Sequence, residues 1–289
     1  MGTHLNRAKA HFGTDVTGLL EGGRYALLHT RSLEFDDLRP YVPGDDVRDI
    51  DWKASARSGH VLIKRFVSEK HHKILLVADA GRNMAALTPS GEDKRDVAAH
   101  VLGAVGLITL GRSDEIGMVY GDARGCANIR RRRGEVHIEH MLHRFYEHTL
   151  AAPGPSDIVG QLEYVATHHR APMLVFVVSD EPDVDERLTE VLTVLAGRHQ
   201  VMWAFVSDMP AVGPDDDVDG YDVGTGAYVL SAATLGAKVV AAYRRAEEAR
   251  ARRLTELLTT HGVPHTRIAG SDELRTKLIA LTQVFSRAR

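Results

Sequence analysis

Residues 73–79 have the sequence Lys73-Ile74-Leu75-Leu76-Val77-Ala78-Asp79, an apolar run that ends in a carboxylate. Further along the chain, Met173-Leu174-Val175-Phe176-Val177-Val178-Ser179-Asp180 has the same pattern. Strands so continuously apolar are typical of the centre of a parallel sheet that helices cover on both faces. Between them, residues 91–110 and 135–148 carry apolar side chains at helical spacing. Strands that alternate with helices predict an α/β fold with a doubly wound, mostly parallel sheet.

The composition is that of a globular protein with a sizeable core, since 44% of the 289 residues are hydrophobic and 26% are charged. The net charge of −3 gives no general attraction to nucleic acids or anionic membranes. The single cysteine, Cys126, rules out an intrachain disulfide and suits a reducing compartment. The longest apolar run, residues 97–110, is too short to cross a bilayer, and the N-terminus lacks the apolar core of a signal peptide. We therefore expect a cytoplasmic protein without a membrane span.

A dense cluster of charge precedes the first apolar strand. Residues 39–57, here called the charged cluster, contain four aspartates, three arginines and a lysine around a Pro43-Gly44 turn. The turn and the aromatic and aliphatic residues beside it indicate an ordered hairpin or loop rather than a disordered tract. We therefore expect an N-terminal module over residues 1–70, consisting of a helix and this charged β-hairpin or loop, and the α/β domain over residues 71–289.

The charged cluster has two interpretations. As a scaffold, its arginines clamp its aspartates in bidentate ion pairs, and Trp52 packs beneath them. As a docking surface, it presents arginine and tryptophan, which are common anchors of protein interfaces. The residues assigned to the scaffold are Arg39, Arg48, Asp51, Trp52 and Arg57, and those assigned to partner binding at the tip are Pro43, Gly44, Asp45 and Asp46.

Two aspartates mark a candidate site. Asp79 and Asp180 each close an apolar strand, and ligands of open α/β sheets bind at the carboxyl ends of the strands. Together with the hydroxyl of Ser156, two such carboxylates form an oxygen-rich site that suits Mg²⁺. The alternative is that both aspartates only accept hydrogen bonds from backbone N–H groups of neighbouring loops.

Signatures of common enzyme classes are missing from the sequence. It contains no phosphate-binding loop, no dinucleotide-binding glycine pattern after a strand and no nucleophile elbow. We therefore expect a non-enzymatic protein. The alternative is a Mg²⁺-dependent hydrolase or phosphoryl-transfer enzyme that uses Asp79 and Asp180.

Four consecutive arginines, residues 130–133, follow a predicted strand. A basic loop of this kind is usually a solvated surface, and the alternative is contact with a phosphate-rich or acidic partner. We do not expect nucleic-acid binding.

The charged cluster resembles the signature of a bacterial family, domain of unknown function 58. The matching residues are Arg39-Pro40-Tyr41, Gly44-Asp45-Asp46, Arg48, Ile50-Asp51-Trp52 and Ser55-Ala56-Arg57. The rest of the chain, from Lys73 to about Arg289, resembles the von Willebrand factor A-type domain that accompanies this signature. The resemblance implies a von Willebrand A-like α/β fold and a metal-ion-dependent adhesion site.

That site has the pattern Asp-x-Ser-x-Ser, a threonine from a second loop and an aspartate from a third. The resemblance places Asp79 at the first aspartate, Gly81 and Asn83 at the two serines, Ser156 at the threonine and Asp180 at the last aspartate. Gly81 supplies no oxygen, and Asn83 supplies a longer amide. We therefore favour a departed metal site that is kept as a salt-bridged scaffold. The alternative is a degenerate site in which Asp79, Asn83, Ser156 and Asp180 hold Mg²⁺ as a cofactor.

Arg82 adds a positive charge beside this site, and we expect it to pair with Asp79 and to oppose a divalent ion. Proteins similar to this family are linked with MoxR-type AAA+ ATPases. The resemblance implies a non-enzymatic adaptor that assists such an ATPase in the assembly or maturation of other proteins, with the carboxyl edge of the sheet as its contact face. Without a bound cation, Arg82 meets a partner carboxylate directly; this inference follows from charge and not from the family.

Overall fold

The computed structural model describes residues 2–12, 33–42, 45–68, 72–151, 153–210 and 219–287. Its contacts divide the chain into two compact units, a smaller one over residues 29–72 and a larger one that combines residues 1–28 with 73–289. Among the helices of the described residues, none combines the length and the apolar character that a membrane span requires.

The helices and strands have the following bounds in chain order. The strands are β1 (Leu33–Pro40), β2 (Leu62–Ser68), β3 (Lys73–Asp79), β4 (Glu115–Asp122), β5 (Gly125–Arg132), β6 (Leu174–Ser179), β7 (Gln200–Val206), β8 (Gly220–Tyr221), β9 (Tyr228–Val229) and β10 (His265–Ile268). The α-helices are α1 (Thr3–Phe12), α2 (Trp52–Ser58), α3 (Lys94–Arg112), α4 (Glu135–Leu150), α5 (Ile158–His168), α6 (Glu186–Arg198), α7 (Ala232–Leu235), α8 (Ala237–Thr260) and α9 (Leu274–Arg287). Single 3₁₀ turns occupy Val47–Asp49, Arg82–Ala85 and Ser271–Glu273.

The larger unit is built on a six-stranded sheet with the order β10-β7-β6-β3-β4-β5. Its neighbouring strands are parallel except for β5, which runs antiparallel to β4. Strands β3, β4 and β5 follow one another toward one edge of the sheet, and β6 pairs with the other side of β3. The prediction of a doubly wound, mostly parallel sheet is therefore confirmed, and the strand order reverses between β3 and β6.

Each face of the sheet packs against its own layer of helices. Ile74, Leu76 and Ala78 of β3 point into one core together with apolar residues of α1, α3, α4 and α9. Leu75 and Val77 point into the other core, which α5, α6 and the end of α8 cover. Because side chains alternate between the faces of a strand, burial on both sides requires the continuous apolar run that the sequence shows.

The N-terminal helix belongs to the larger unit. Leu5, Ala8 and Phe12 of α1 are buried in the same core as α3 and α4. The predicted module over residues 1–70 joins this helix to the charged cluster, whereas the structure groups α1 with the α/β domain, in whose core its apolar face is buried. Gly236, with a φ of 76°, ends α7 and precedes α8.

The smaller unit is a β-hairpin with a helical insertion. Strands β1 and β2 pair antiparallel. Between them, residues 47–58 contain the first 3₁₀ turn and α2, and they do not extend either strand. The carboxylate of Asp51 accepts hydrogen bonds from the backbone N–H groups of Lys53 and Ala54, which caps α2. Gly59, with a φ of 75°, ends the helix.

The expected ion-paired scaffold is present in part. Arg39 donates two hydrogen bonds to Asp45, of 2.8 and 2.6 Å, which makes the pair bidentate. The prediction that Trp52 packs beneath the charges is wrong, because Trp52 is 68% exposed at the start of α2, a helix without a buried residue. Arg57 is exposed in the last turn of α2 and Asp46 is exposed before the 3₁₀ turn. Pro43, Gly44 and the side chain of Arg48 lie outside the described residues.

Candidate functional site

The structure brings the predicted residues Asp79, Asn83, Ser156 and Asp180 together, and we call this set the carboxylate rim. Strands β3 and β6 are parallel neighbours in which Ala78 lies opposite Val178. Asp79 and Asp180 therefore leave the sheet side by side, at the point where the strand order reverses. Crevices at such switch points are the usual ligand sites of open α/β sheets.

Asn83 and Ser156 complete the carboxylate rim from two loops. The side-chain amide of Asn83 donates a 2.7 Å hydrogen bond to Oδ2 of Asp180. The backbone N–H of Asn83 donates a 3.3 Å hydrogen bond to Oγ of Ser156. Since an ionised carboxylate only accepts hydrogen bonds, the nitrogen of the Asn83 amide, not its oxygen, faces Asp180.

Close packing against the backbone of Ser156 requires a glycine at position 81. A Cβ atom at Gly81 would lie 2.5 Å from Cα and 2.7 Å from the backbone nitrogen of Ser156. A serine side chain therefore has no room at this position, because the loop that carries Ser156 occupies the space. The missing serine of the adhesion-site pattern is thus a consequence of how two loops meet.

A buried lysine lies at the carboxylate rim, and the sequence analysis did not identify it. Lys94, the first residue of α3, is fully buried. Its Nζ lies 2.5 Å from Oδ1 of Asp208 and 3.6 Å from Oδ2 of Asp180. Asp208 follows β7, so the neighbouring strands β3, β6 and β7 each lead to an aspartate at this edge. The sequence offered two signals, which are this repetition and the position of a lysine just before the long apolar run of residues 97–110.

Asp79 is the most deeply buried carboxylate of the rim, with 1% of its surface exposed. Its Oδ1 accepts a 2.8 Å hydrogen bond from the backbone N–H of Gly81. Within the described residues, its Oδ2 is buried without a hydrogen-bond partner. Burial, and then the negative charge of Asp180, raise the pKa of Asp79 to about 7. A proton on Asp79 therefore removes the charge that burial disfavours.

A further aspartate fixes the loop that carries Ser156. The carboxylate of Asp122, at the end of β4, accepts hydrogen bonds from the backbone N–H of Gly154 at 2.8 Å and from His148 Nε2 at 3.1 Å. Hydrogen bonds from Arg124, followed by those from backbone N–H groups, hold the pKa of Asp122 well below its usual range. The backbone N–H of Arg82 donates to the carbonyl of Gly154 at 2.8 Å. These contacts hold Ser156 against Gly81.

Arg82 does not make the contact expected of it. Its guanidinium is exposed and lies 3.4 Å from the carbonyl oxygen of Gly224, in the segment between β8 and β9. The pairing of Arg82 with Asp79 was a wrong prediction, because the backbone of Arg82 is tied to Gly154 and its side chain points away from the buried carboxylate. Lys94, not Arg82, is the positive charge inside the rim.

The donor set of the carboxylate rim does not fit a divalent metal ion. The unpartnered Oδ2 of Asp79 favours a bound cation, but it is equally satisfied by a proton on a carboxyl of raised pKa. Oδ2 of Asp180, from the neighbouring strand, already faces the amide nitrogen of Asn83 and the ammonium of Lys94. Gly81 supplies no oxygen. The hypothesis of a Mg²⁺-dependent enzyme therefore has no specific support in this geometry.

Comparison with solved structures finds proteins with partial similarity to this chain. The chain resembles an aerotolerance-related membrane protein from Bacteroides fragilis, with 12% identity and a TM-score of 0.44, over 75% of this chain and 99% of that one. It also resembles a von Willebrand factor type A protein from Catenulispora acidiphila, with 12% identity and a TM-score of 0.42, over 78% of this chain and 44% of that one.

Comparison with known sequences finds relatives in mycobacteria. Uncharacterized proteins of Mycobacterium tuberculosis and Mycobacterium bovis are each 26% identical over 204 residues, which is 68% of this chain and 64% of the relative. The chain thus spans less than two thirds of the length of these relatives. The family described as protein of unknown function DUF58 matches residues 37–223, a range that contains the whole charged cluster and the whole carboxylate rim. Since this match covers more than half of the chain, the protein belongs to the DUF58 family.

Proposed function

We propose that this protein is a non-enzymatic adaptor that binds a protein partner at the carboxyl edge of its sheet, with Arg82 as the contact residue. The observation that carries this proposal is the position of the Arg82 guanidinium, which is exposed at the edge where the strand order reverses. The backbone of Arg82 is fixed by its hydrogen bond to Gly154. An arginine so presented suits a carboxylate on the partner, because its planar donors match two carboxylate oxygens.

The charges at the carboxylate rim favour a direct contact between Arg82 and a carboxylate of the partner. They do not favour a metal ion that both proteins coordinate. Lys94 is fully buried, so its ammonium pairs with Asp208 and Asp180 and is closed to a partner. Arg82 is exposed and, among the described residues, contacts a backbone carbonyl rather than a carboxylate. Its charge is therefore available at this edge to an incoming acidic group.

We further propose that the partner is a MoxR-type AAA+ ATPase and that the complex acts in the assembly or maturation of other proteins in the cytoplasm. The support for this partner is the family resemblance of the charged cluster. The exposed Trp52 gives the same cluster an aromatic anchor for a second contact with the partner.

The proposal is tested with the purified protein and a purified MoxR-type ATPase from the same organism, by surface plasmon resonance. We expect Arg82→Glu to abolish binding, Arg82→Lys to weaken it, and chelation of divalent ions from the adaptor before mixing to leave it unchanged. Arg144→Glu, at an exposed arginine of α4, is the matched control and keeps wild-type affinity. Equal binding by wild type and Arg82→Glu contradicts the contact, and no binding by wild type contradicts the partner.

A further inference from the structure

The position of Lys94 is electrostatically unfavourable for a positively charged side chain. It is the first residue of α3 and is fully buried. The N-terminus of a helix carries a partial positive charge, so a lysine there is repelled by its own helix. A buried ammonium also loses its hydration unless carboxylates replace the water. The lysine is therefore stabilised by its tertiary contacts and not by its place in the chain.

Those contacts link the ends of two adjacent strands. The Nζ of Lys94 lies 2.5 Å from Asp208, which follows β7, and 3.6 Å from Asp180, which follows β6. The same Oδ2 of Asp180 accepts the hydrogen bond of Asn83. Oδ2 of Asp79, which has no hydrogen-bond partner among the described residues, is buried, and the negative charge of the nearby Asp180 raises the pKa of Asp79. One ammonium thus serves a group of carboxylates that three strands bring together.

We propose that the ammonium of Lys94 is the permanent internal cation of this edge and takes the place that a divalent metal ion holds in an adhesion site. The edge is consequently assembled without metal. This inference goes beyond the proposed function, because it concerns the cation that holds the fold at the rim and does not depend on any partner.

The proposal has a consequence that a merely structural lysine would not have. Removing the ammonium leaves Asp79, Asp180 and Asp208 without their shared counter-charge. Carboxylate oxygens from three loops are the ligands that hard divalent cations prefer. A variant without the ammonium is therefore a divalent-cation site, although the wild type is not one.

The experiment compares wild type with Lys94→Ala and with Lys94→Met, using MnCl₂ as the probe. Mn²⁺ binding is followed by electron paramagnetic resonance, and the melting temperature is measured with and without the ion. We expect wild type to show no change in melting temperature with Mn²⁺ or with EDTA. We expect both variants to melt at lower temperature without metal, to recover part of the loss in millimolar Mn²⁺, and to bind Mn²⁺ at least tenfold more tightly than wild type.

Several outcomes overturn the proposal. Mn²⁺ binding by wild type that Asp180→Asn abolishes shows that the ammonium does not exclude the metal. Variants that bind Mn²⁺ no better than wild type show that the Lys94 ammonium does not take the place of a divalent metal ion. Lys94→Met keeps the packing volume of the side chain, so loss of folding from a cavity in Lys94→Ala does not obscure the result. Lys277→Ala, at a half-exposed lysine of α9, is the control and gains no affinity.

Discussion

Gly81→Ala tests the close contact between Gly81, in the loop after β3, and the backbone of Ser156. The added Cβ would lie 2.5 Å from Cα and 2.7 Å from the nitrogen of Ser156, and both are backbone atoms. A side chain could rotate away, but this backbone is held by the hydrogen bond from Gly154 to Asp122 at 2.8 Å. The substitution therefore forces the loop or β3 to move. The φ of Gly81 is −74°, so alanine has no conformational penalty of its own.

The expected cost follows from known effects of overpacking. An inserted methyl group in a tightly packed site costs about 1–3 kcal/mol in the free energy of unfolding. For a domain of this size, each kcal/mol lowers the melting temperature by about 2–4 °C. We therefore expect Gly81→Ala to melt about 2–12 °C below wild type. Gly81→Ser is expected to lose at least as much, and not to create a metal site, because the hydroxyl meets the same backbone.

Differential scanning calorimetry measures this change, and a second glycine provides the control. Gly111 lies in α3, and a Cβ there meets no atom within 4 Å. Gly111→Ala is expected to stabilise the protein by about 0.5–1 kcal/mol, since alanine has the higher helix propensity. A Gly81→Ala variant as stable as wild type would refute this packing argument, because it would show that the loop of Ser156 can move freely.

Three further predictions concern single side chains. Asp122→Ala lowers the free energy of unfolding by about 1–3 kcal/mol in urea titrations, because the backbone N–H of Gly154 loses its partner; a loss below a few tenths of a kcal/mol contradicts this role. The pKa of Asp79, raised to about 7, means that the folded state keeps a proton which the unfolded chain releases near pH 4. Stability therefore falls as pH rises from about 4 to about 7, and Asp79→Asn flattens this fall in melting curves; an unchanged slope contradicts it. Trp52→Ala changes the free energy of unfolding by less than about 0.5 kcal/mol, whereas Trp203→Ala, at a fully buried tryptophan, costs about 3–5 kcal/mol; similar losses in both contradict the assigned burial.

The sheet could be predicted from the sequence because its strands are apolar on both faces. Burial on two sides requires a continuous apolar run such as residues 73–79, whereas a strand with one solvated face alternates between apolar and polar residues. The meeting of Asp79 and Asp180 followed from the same reasoning, since the carboxyl ends of parallel strands share one edge. Local pattern and topology agree there, and the placement was predictable.

Lys94 and Asp208 were not predictable as a pair. The contact joins residues far apart in the chain, and a lysine at the start of a helix is most often solvated. Its burial depends on how α3 packs on the sheet and not on any local pattern. Asp208 carried a signal, because it follows the third apolar strand, but the glycine, proline and aspartate residues after it are typical of an exposed loop.

Trp52 and Gly81 show two other limits. An aromatic residue in a charged segment suggests a buried anchor, but Asp51 caps a helix there and Trp52 emerges on its outer side. Gly81 stands where the family resemblance places a serine, but the sequence does not show why a glycine is needed there. The cause is the backbone of Ser156, which only the folded structure brings within contact of Gly81.

Our principal inference is that Lys94, and not a metal ion, balances the aspartates at the carboxyl edge of this sheet. The most direct test is a crystal soaked in millimolar MnCl₂, with anomalous diffraction collected at the manganese edge. We expect no anomalous peak between Asp79 and Asp180, with the Lys94 ammonium bound to Asp208 and beside Asp180. A manganese peak within bonding distance of Asp79 and Asp180 would contradict this inference.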